Sequence, residues 1–81
     1  MPDYPIRTPQ QLGAVLRGFR RERKLTQQAV GKSAGLAQNA ISQIETNPGP
    51  TSLARIARVL AALSLELVVR SRKADDRPSE W

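Results

Sequence analysis

LTQQAVGKSAGLAQNAISQIE, residues 25–45, decides the fold of this chain. Leu25-Thr26-Gln27 starts a helix, with Thr26 at the N-cap, where its hydroxyl accepts a backbone N–H of the first turn. Val30 and Ala34 follow four residues apart, the spacing at which side chains share one helix face. Gly35 ends the helix, as a glycine of positive φ commonly does. The stretch therefore predicts one short helix over about 27–34 and a second over about 37–45.

The second helix has two unlike faces. On a wheel of about 100° per residue, Ala37, Ala40, Ile41 and Ile44 gather into one apolar stripe. Gln38, Asn39, Ser42 and Gln43 fall on the other side. Solvent faces usually favour Glu and Lys, whereas this one carries amides and a hydroxyl. An amide presents a donor beside an acceptor, which matches the N6/N7 edge of adenine in the major groove of DNA. Taken alone, the helix fits a polar solvent face as well as a base-reading one.

Outward from this pair, Thr8-Pro9 reads as a helix start, a hydroxyl cap followed by proline at the first helical position. Leu12, Val15, Leu16 and Phe19 continue it at helical spacing to about residue 23. Residues 1–7, with two prolines, form an irregular arm. On the other side, NPGP (47–50) is a loop, and Thr51 or Ser52 caps a helix over about 52–63. Its apolar stripe is expected at Leu53, Ile56, Ala57, Leu60 and Leu63. Residues 64–70 alternate as a strand does, with Leu65, Leu67 and Val69 on one face. A lone strand leaves backbone groups unpaired. Residues 4–6 could pair with it weakly, but the same strand of a second copy would pair better and cover its leucines. Residues 71–81 are charged and aperiodic, a composition expected to be disordered.

Composition narrows the chemistry. The chain has 81 residues, a net charge of +6, and neither Cys nor His. One small domain is expected, with a core marginal enough to gain from a second subunit. Disulfides, Cys/His zinc sites and cysteine or histidine catalysis are excluded. Neither a membrane span nor a signal peptide is legible, so a cytoplasmic protein is expected. All of the +6 lies between residues 8 and 63, where Arg17, Arg20, Arg21, Arg23, Lys24, Lys32, Arg55 and Arg58 face only Glu22 and Glu45. A basic module between neutral ends points to a polyanion, nucleic acid before acidic membrane.

With its Ala-Gly turn and its Ile-Ser-x-Ile-Glu ending, 25–45 resembles the helix-turn-helix of the phage-repressor (XRE) family. That resemblance covers about 8–63 and implies that the helix over 37–45 enters the major groove of double-stranded operator DNA. The implied DNA-binding residues are Thr26, Gln27, Lys32, Gln38, Asn39, Ser42 and Gln43. Gln38 and Asn39 hold the base-reading positions, and Gln27 meets a phosphate. The resemblance also implies that Glu45 is no catalytic acid but pairs with Arg20 as a structural ion pair. Three departures stand out. Gly31 replaces a preferred Ala, Ala37 replaces a Ser cap, and the base-reading slots lack Arg and Lys.

The remaining features resemble the HipB antitoxin group, namely the Thr8–Leu12 start, the asparagine-proline loop, the single strand and the Glu80-Trp81 ending. This second resemblance implies a homodimer joined through Leu65, Leu67 and Val69, and a HipA-like serine/threonine kinase toxin as partner. Trp81 is a candidate anchor for a pocket on that toxin. The expected fold is mainly α, a helix-turn-helix bundle of four to five helices plus one C-terminal β-strand pairing across a homodimer. Its parts are an arm (1–7), a DNA-binding domain (8–63), a dimerisation strand (64–70) and a tail (71–81). The expected function is a DNA-binding repressor and antitoxin that autoregulates its operon. No enzyme activity, cofactor, metal, membrane or small-molecule ligand is expected. Two other readings stay open: a stand-alone prophage or restriction-system regulator, and a protein-interaction module that never touches DNA.

Overall fold

The computed structural model describes residues 3–72. They form four helices: α1 (Pro9–Glu22), α2 (Gln27–Ala34), α3 (Gln38–Thr46) and α4 (Leu53–Ala62). α3 packs against both α1 and α2, and α4 closes over α2. Every helix contributes to one core: Leu16, Val30, Ala34, Ile41, Ile44, Ile56, Val59 and Leu60, with Leu63 just past α4. Each fully buried Leu, Ile or Val contributes about 1.5–3 kcal/mol relative to exposure. The mainly α bundle expected from the sequence is the fold observed.

Hydroxyl caps set three of the four helix starts. Thr8 and Gln11 form a reciprocal capping box at α1, Thr26 accepts from the Ala29 N–H at α2, and Ser52 accepts from the Arg55 N–H at α4. At α3 the N-cap is Ala37, and no side chain caps the helix.

The helix ends share one device. After α1, α2 and α4 a residue turns into the left-handed region: Lys24 (φ 58°), Gly35 (φ 74°) and Ser64 (φ 58°). The next residue is a leucine each time. Its N–H bonds back to the carbonyl five residues earlier: Leu25 to Arg20 at 3.0 Å, Leu36 to Gly31 at 2.8 Å and Leu65 to Leu60 at 2.8 Å. These are Schellman turns, which close the last carbonyls of a helix and bring an apolar residue back onto it. Leu25, Leu36 and Leu65 are each packed on the core.

Two glycines allow the backbones to meet. A Cβ at Gly13 of α1 would collide with the carbonyl oxygen of Glu45 and stand 3.1 Å from that of Ile44. A Cβ at Gly31 would lie 2.5 Å from the Leu36 carbonyl oxygen. Gly31 is therefore required here by the close return of the turn.

Two expectations about α4 are corrected. Leu53 is 65% exposed and Ala57 is also exposed, while Val59 is buried. The core meets α4 at Ile56, Val59, Leu60 and Leu63; Leu53 sits on the first turn, past the core's edge, and Ala57 falls outside the stripe's arc.

Residues 65–70 contain no helix or strand within the single chain. No backbone hydrogen bond joins them to the arm among the described residues. Instead Leu65 completes the end of α4, while Leu67 and Val69 are 58% and 93% exposed. The arm lies along α1, with Tyr4 edge-on to Phe19 at 5.4 Å between centroids. Asp3 accepts from Arg70 at 2.9 Å, an exposed pair of small energetic weight. The tail beyond residue 72, with Trp81 and the expected disorder, lies outside the described residues.

Candidate nucleic-acid interface

The site is built on a buried ion pair. Arg20 of α1 grips Glu45 of α3 with two bonds, Nε to Oε2 at 2.5 Å and Nη2 to Oε1 at 3.1 Å. Their side chains are only 12% and 5% exposed. Arg20 Nη1 also donates to the Leu25 carbonyl at 2.9 Å, in the turn that leads into α2. A forked guanidinium suits this task because it serves carboxylate and carbonyl together. α1, α3 and the entry to α2 are thereby fixed to one another.

An amide chain runs from this pair to the surface. Gln27, first residue of α2, donates its Nε2 to Glu45 Oε1 at 3.2 Å. A carboxylate paired with a guanidinium only accepts, so the NH2 end of Gln27 must face it. That leaves Gln27 Oε1 pointing the other way, where it accepts from Gln38 Nε2 at 3.5 Å, the long end of the hydrogen-bond range. Among the described residues the Gln38 carbonyl oxygen and one amide hydrogen have no partner, the pair that adenine requires.

Gln38, Asn39 and Gln43 are exposed on α3, and Ser42 is half-buried. Thr46 donates its hydroxyl to the Ser42 carbonyl at 3.0 Å. Gln43 borders an open hollow lined also by Asn47, Thr51, Ser52 and Arg55. Thr26 and Lys32 are exposed too. The expected residues thus do not form a single cluster. Gln27 and Gln38 touch, with Thr26 next to Gln27 in sequence, whereas Lys32 lies in the last turn of α2 and its side chain makes no hydrogen bond or ion pair among the described residues.

Two side chains gain roles that the sequence reading did not assign. Arg55, at the start of α4, lines the same open hollow as Gln43 and adds a cation to its wall. Arg58 donates to the carbonyls of Ala34 and Gly35 at 3.0 and 3.1 Å. Its position within a basic stretch gave no sign of that engagement, because its partners are backbone atoms of a distant turn. Of the other bases in and just after α1, Arg23 lies 5.0 Å over the Phe19 ring, while Arg17, Arg21 and Lys24 are exposed. Among the described residues, no helix is long and apolar enough to cross a membrane, and no acidic group could hold a metal.

The chain and its fold are similar to known proteins. A family profile described as a helix-turn-helix domain matches residues 11–72. Antitoxin HipB of Escherichia coli O6:H1 is 30% identical over an 82-residue alignment, covering 94% of this chain and 87% of the relative. The structure of a HipB–O2 20mer complex superposes with a TM-score of 0.84 at 29% identity, covering 89% of this chain and 100% of that one. A HipA–HipB–O2–O3 complex gives a TM-score of 0.82 at 30% identity, over 85% and 97% of the two chains.

Proposed function

We propose, from the premise that this chain belongs to the helix-turn-helix family and is a relative of the HipB antitoxins, that it is a homodimeric repressor which neutralises a kinase toxin. At the coarser level it is a helix-turn-helix DNA-binding regulator that resembles HipB. The finer reading adds three things: recognition of a specific operator, a HipA-like serine/threonine kinase as partner, and repression of the operon that encodes both.

The observation carrying the DNA reading is the exposed amide face at the start of α3, aimed through Gln27 from a buried ion pair. Gln38 and Asn39 read bases. Ser42 and Gln43, one turn on, meet base or phosphate. Thr26, Gln27 and Lys32 lie toward the backbone, where α2 offers its N-terminal N–H groups. Two such modules about a two-fold axis read half-sites about 10 bp apart, or a multiple of that. The exposed Leu67 and Val69 supply apolar surface for the pairing of two copies. The toxin reading is supported by the 30% identity to antitoxin HipB and by the likeness to a HipB that occurs in complex with HipA.

Two measurements test this reading. The chain is offered a randomised 20-bp library, and enriched duplexes are titrated. Enrichment of a two-fold symmetric sequence is expected, and recovery of no preferred sequence overturns the DNA reading. The tagged chain is then co-expressed with its neighbouring open reading frame. Co-purification of a kinase is expected, and deleting residues 74–81 should weaken that association while sparing DNA binding. The opposite pattern overturns the assignment of Trp81 as the anchor.

A further inference from the structure

The turn between α2 and α3 has to aim two helices at once, yet α3 starts without a side-chain cap. Thr8, Thr26 and Ser52 cap the other three helices, whereas Ala37 offers only its carbonyl, which accepts the N–H groups of Ala40 and Ile41 at 3.0 and 3.3 Å. What reaches this turn from outside is Arg58. Its Nε donates to the Ala34 carbonyl at 3.0 Å and its Nη2 to the Gly35 carbonyl at 3.1 Å. These carbonyls lie at the C-terminal end of α2, where unpaired oxygens and the helix dipole favour a cation. The fit is close enough that a Cβ on Gly35 would stand 2.9 Å from Arg58 Nη2.

We infer that Arg58 is a positioning residue for DNA reading: by binding the last carbonyls of α2 it holds the α2–α3 turn, where α3 has no side-chain cap of its own, and so fixes the aim of Gln38 and Asn39. The inference rests on the DNA reading proposed above. Arg58 is no phosphate ligand in this scheme. Its Nε and Nη2 are committed to backbone carbonyls, and the eight-residue α2 puts about 12 Å between them and the Thr26 end.

The test titrates wild-type chain, Arg58→Ala, Arg58→Lys, Ala37→Ser and the Arg58→Ala/Ala37→Ser double variant. The probes are the duplex enriched by the wild type and a scrambled duplex of equal length. All titrations run below the melting transition of every variant compared. Arg58→Ala is expected to weaken the enriched duplex about tenfold, through loss of two charged hydrogen bonds. The scrambled duplex and the salt slope should be unchanged. Arg58→Lys, which keeps the charge but not the fork, should fall between, and it carries the comparison if Arg58→Ala does not fold. Ala37→Ser should recover about fivefold in the Arg58→Ala background and gain less in the wild type. Equal losses on both duplexes, with the salt slope reduced by about 0.9, would identify a phosphate ligand and overturn the inference. Unchanged affinity in a folded Arg58→Ala variant overturns it too, leaving Arg58 a role in stability alone. If the wild type enriches no sequence, the DNA reading itself fails and takes this role with it.

Discussion

Gln27 donates its side-chain amide to Glu45 Oε1 at 3.2 Å, so the first residue of α2 takes its orientation from a buried carboxylate on α3. The far end of the same amide accepts from Gln38. Gln27→Ala should leave the Gln38 side chain free to rotate. The expected cost is about 1 kcal/mol in discrimination between the enriched duplex and one with a single base substituted. Competition titrations of the two duplexes measure it.

Gln38 itself is the sharper test of base reading. Gln38→Ala should lower affinity for the enriched duplex by about 1–3 kcal/mol, leave the scrambled duplex alone, and relax the preference at one base position. An unchanged titration would remove Gln38 from the reading face.

The Arg20–Glu45 pair makes a prediction about folding. Arg20→Ala leaves a carboxylate that is 5% exposed without its cation. A loss of about 3–5 kcal/mol is expected, because the remaining charge stays buried. Urea unfolding followed by circular dichroism reads this directly. In a domain of this size such a loss is a large share of the total stability.

At the end of α4 the chain holds a non-glycine residue in the left-handed region, Ser64 at φ 58°. Ser64→Gly should stabilise the fold by about 1 kcal/mol by removing that backbone cost. The side chain is exposed, so little packing is lost. An upward shift in the urea midpoint at unchanged slope is the expected result.

Gly13→Ala works in the other direction. The new methyl group would meet the Glu45 carbonyl oxygen where α1 crosses α3. Forcing the helices apart should cost about 1–3 kcal/mol and disturb the ion pair beside the contact. A thermal melt would show it, and an unchanged melting temperature would mean the crossing has slack.

Much of this fold was legible because its punctuation is local. Thr8, Thr26 and Ser52 stand where hydroxyl caps belong, and Gly35 marks the one helix end with a glycine. Lys24 and Ser64 make the same turn as Gly35 without being glycine, so composition gave no hint of them. This conceals the role of Leu65 at the end of α4, where its N–H bonds back to the Leu60 carbonyl. In α4, counting the stripe from Leu53 put Ala57 on the core face and missed Val59. The apolar face of α3 was readable from periodicity at Ala40, Ile41 and Ile44, whereas Ala37, expected on the same stripe, stands exposed at the N-cap. The pairing of Glu45 with Arg20 came from family resemblance, since 25 residues separate them. Arg58 was indistinguishable from its basic neighbours, because a bond to a backbone carbonyl leaves no trace in the partner's residue type.

The three leucines that follow left-handed turns bear on how this chain tolerates changes of length. Leu25, Leu36 and Leu65 each belong at once to a turn and to the core. One residue inserted at any of these junctions would rotate its leucine away from the interior and open the helix end behind it. Gly49 and Pro50 themselves are exposed, and neither belongs to the core. Natural variation in loop length, and any engineered graft, should therefore be accommodated between α3 and α4, while the spacing of the other junctions is held rigid by the core.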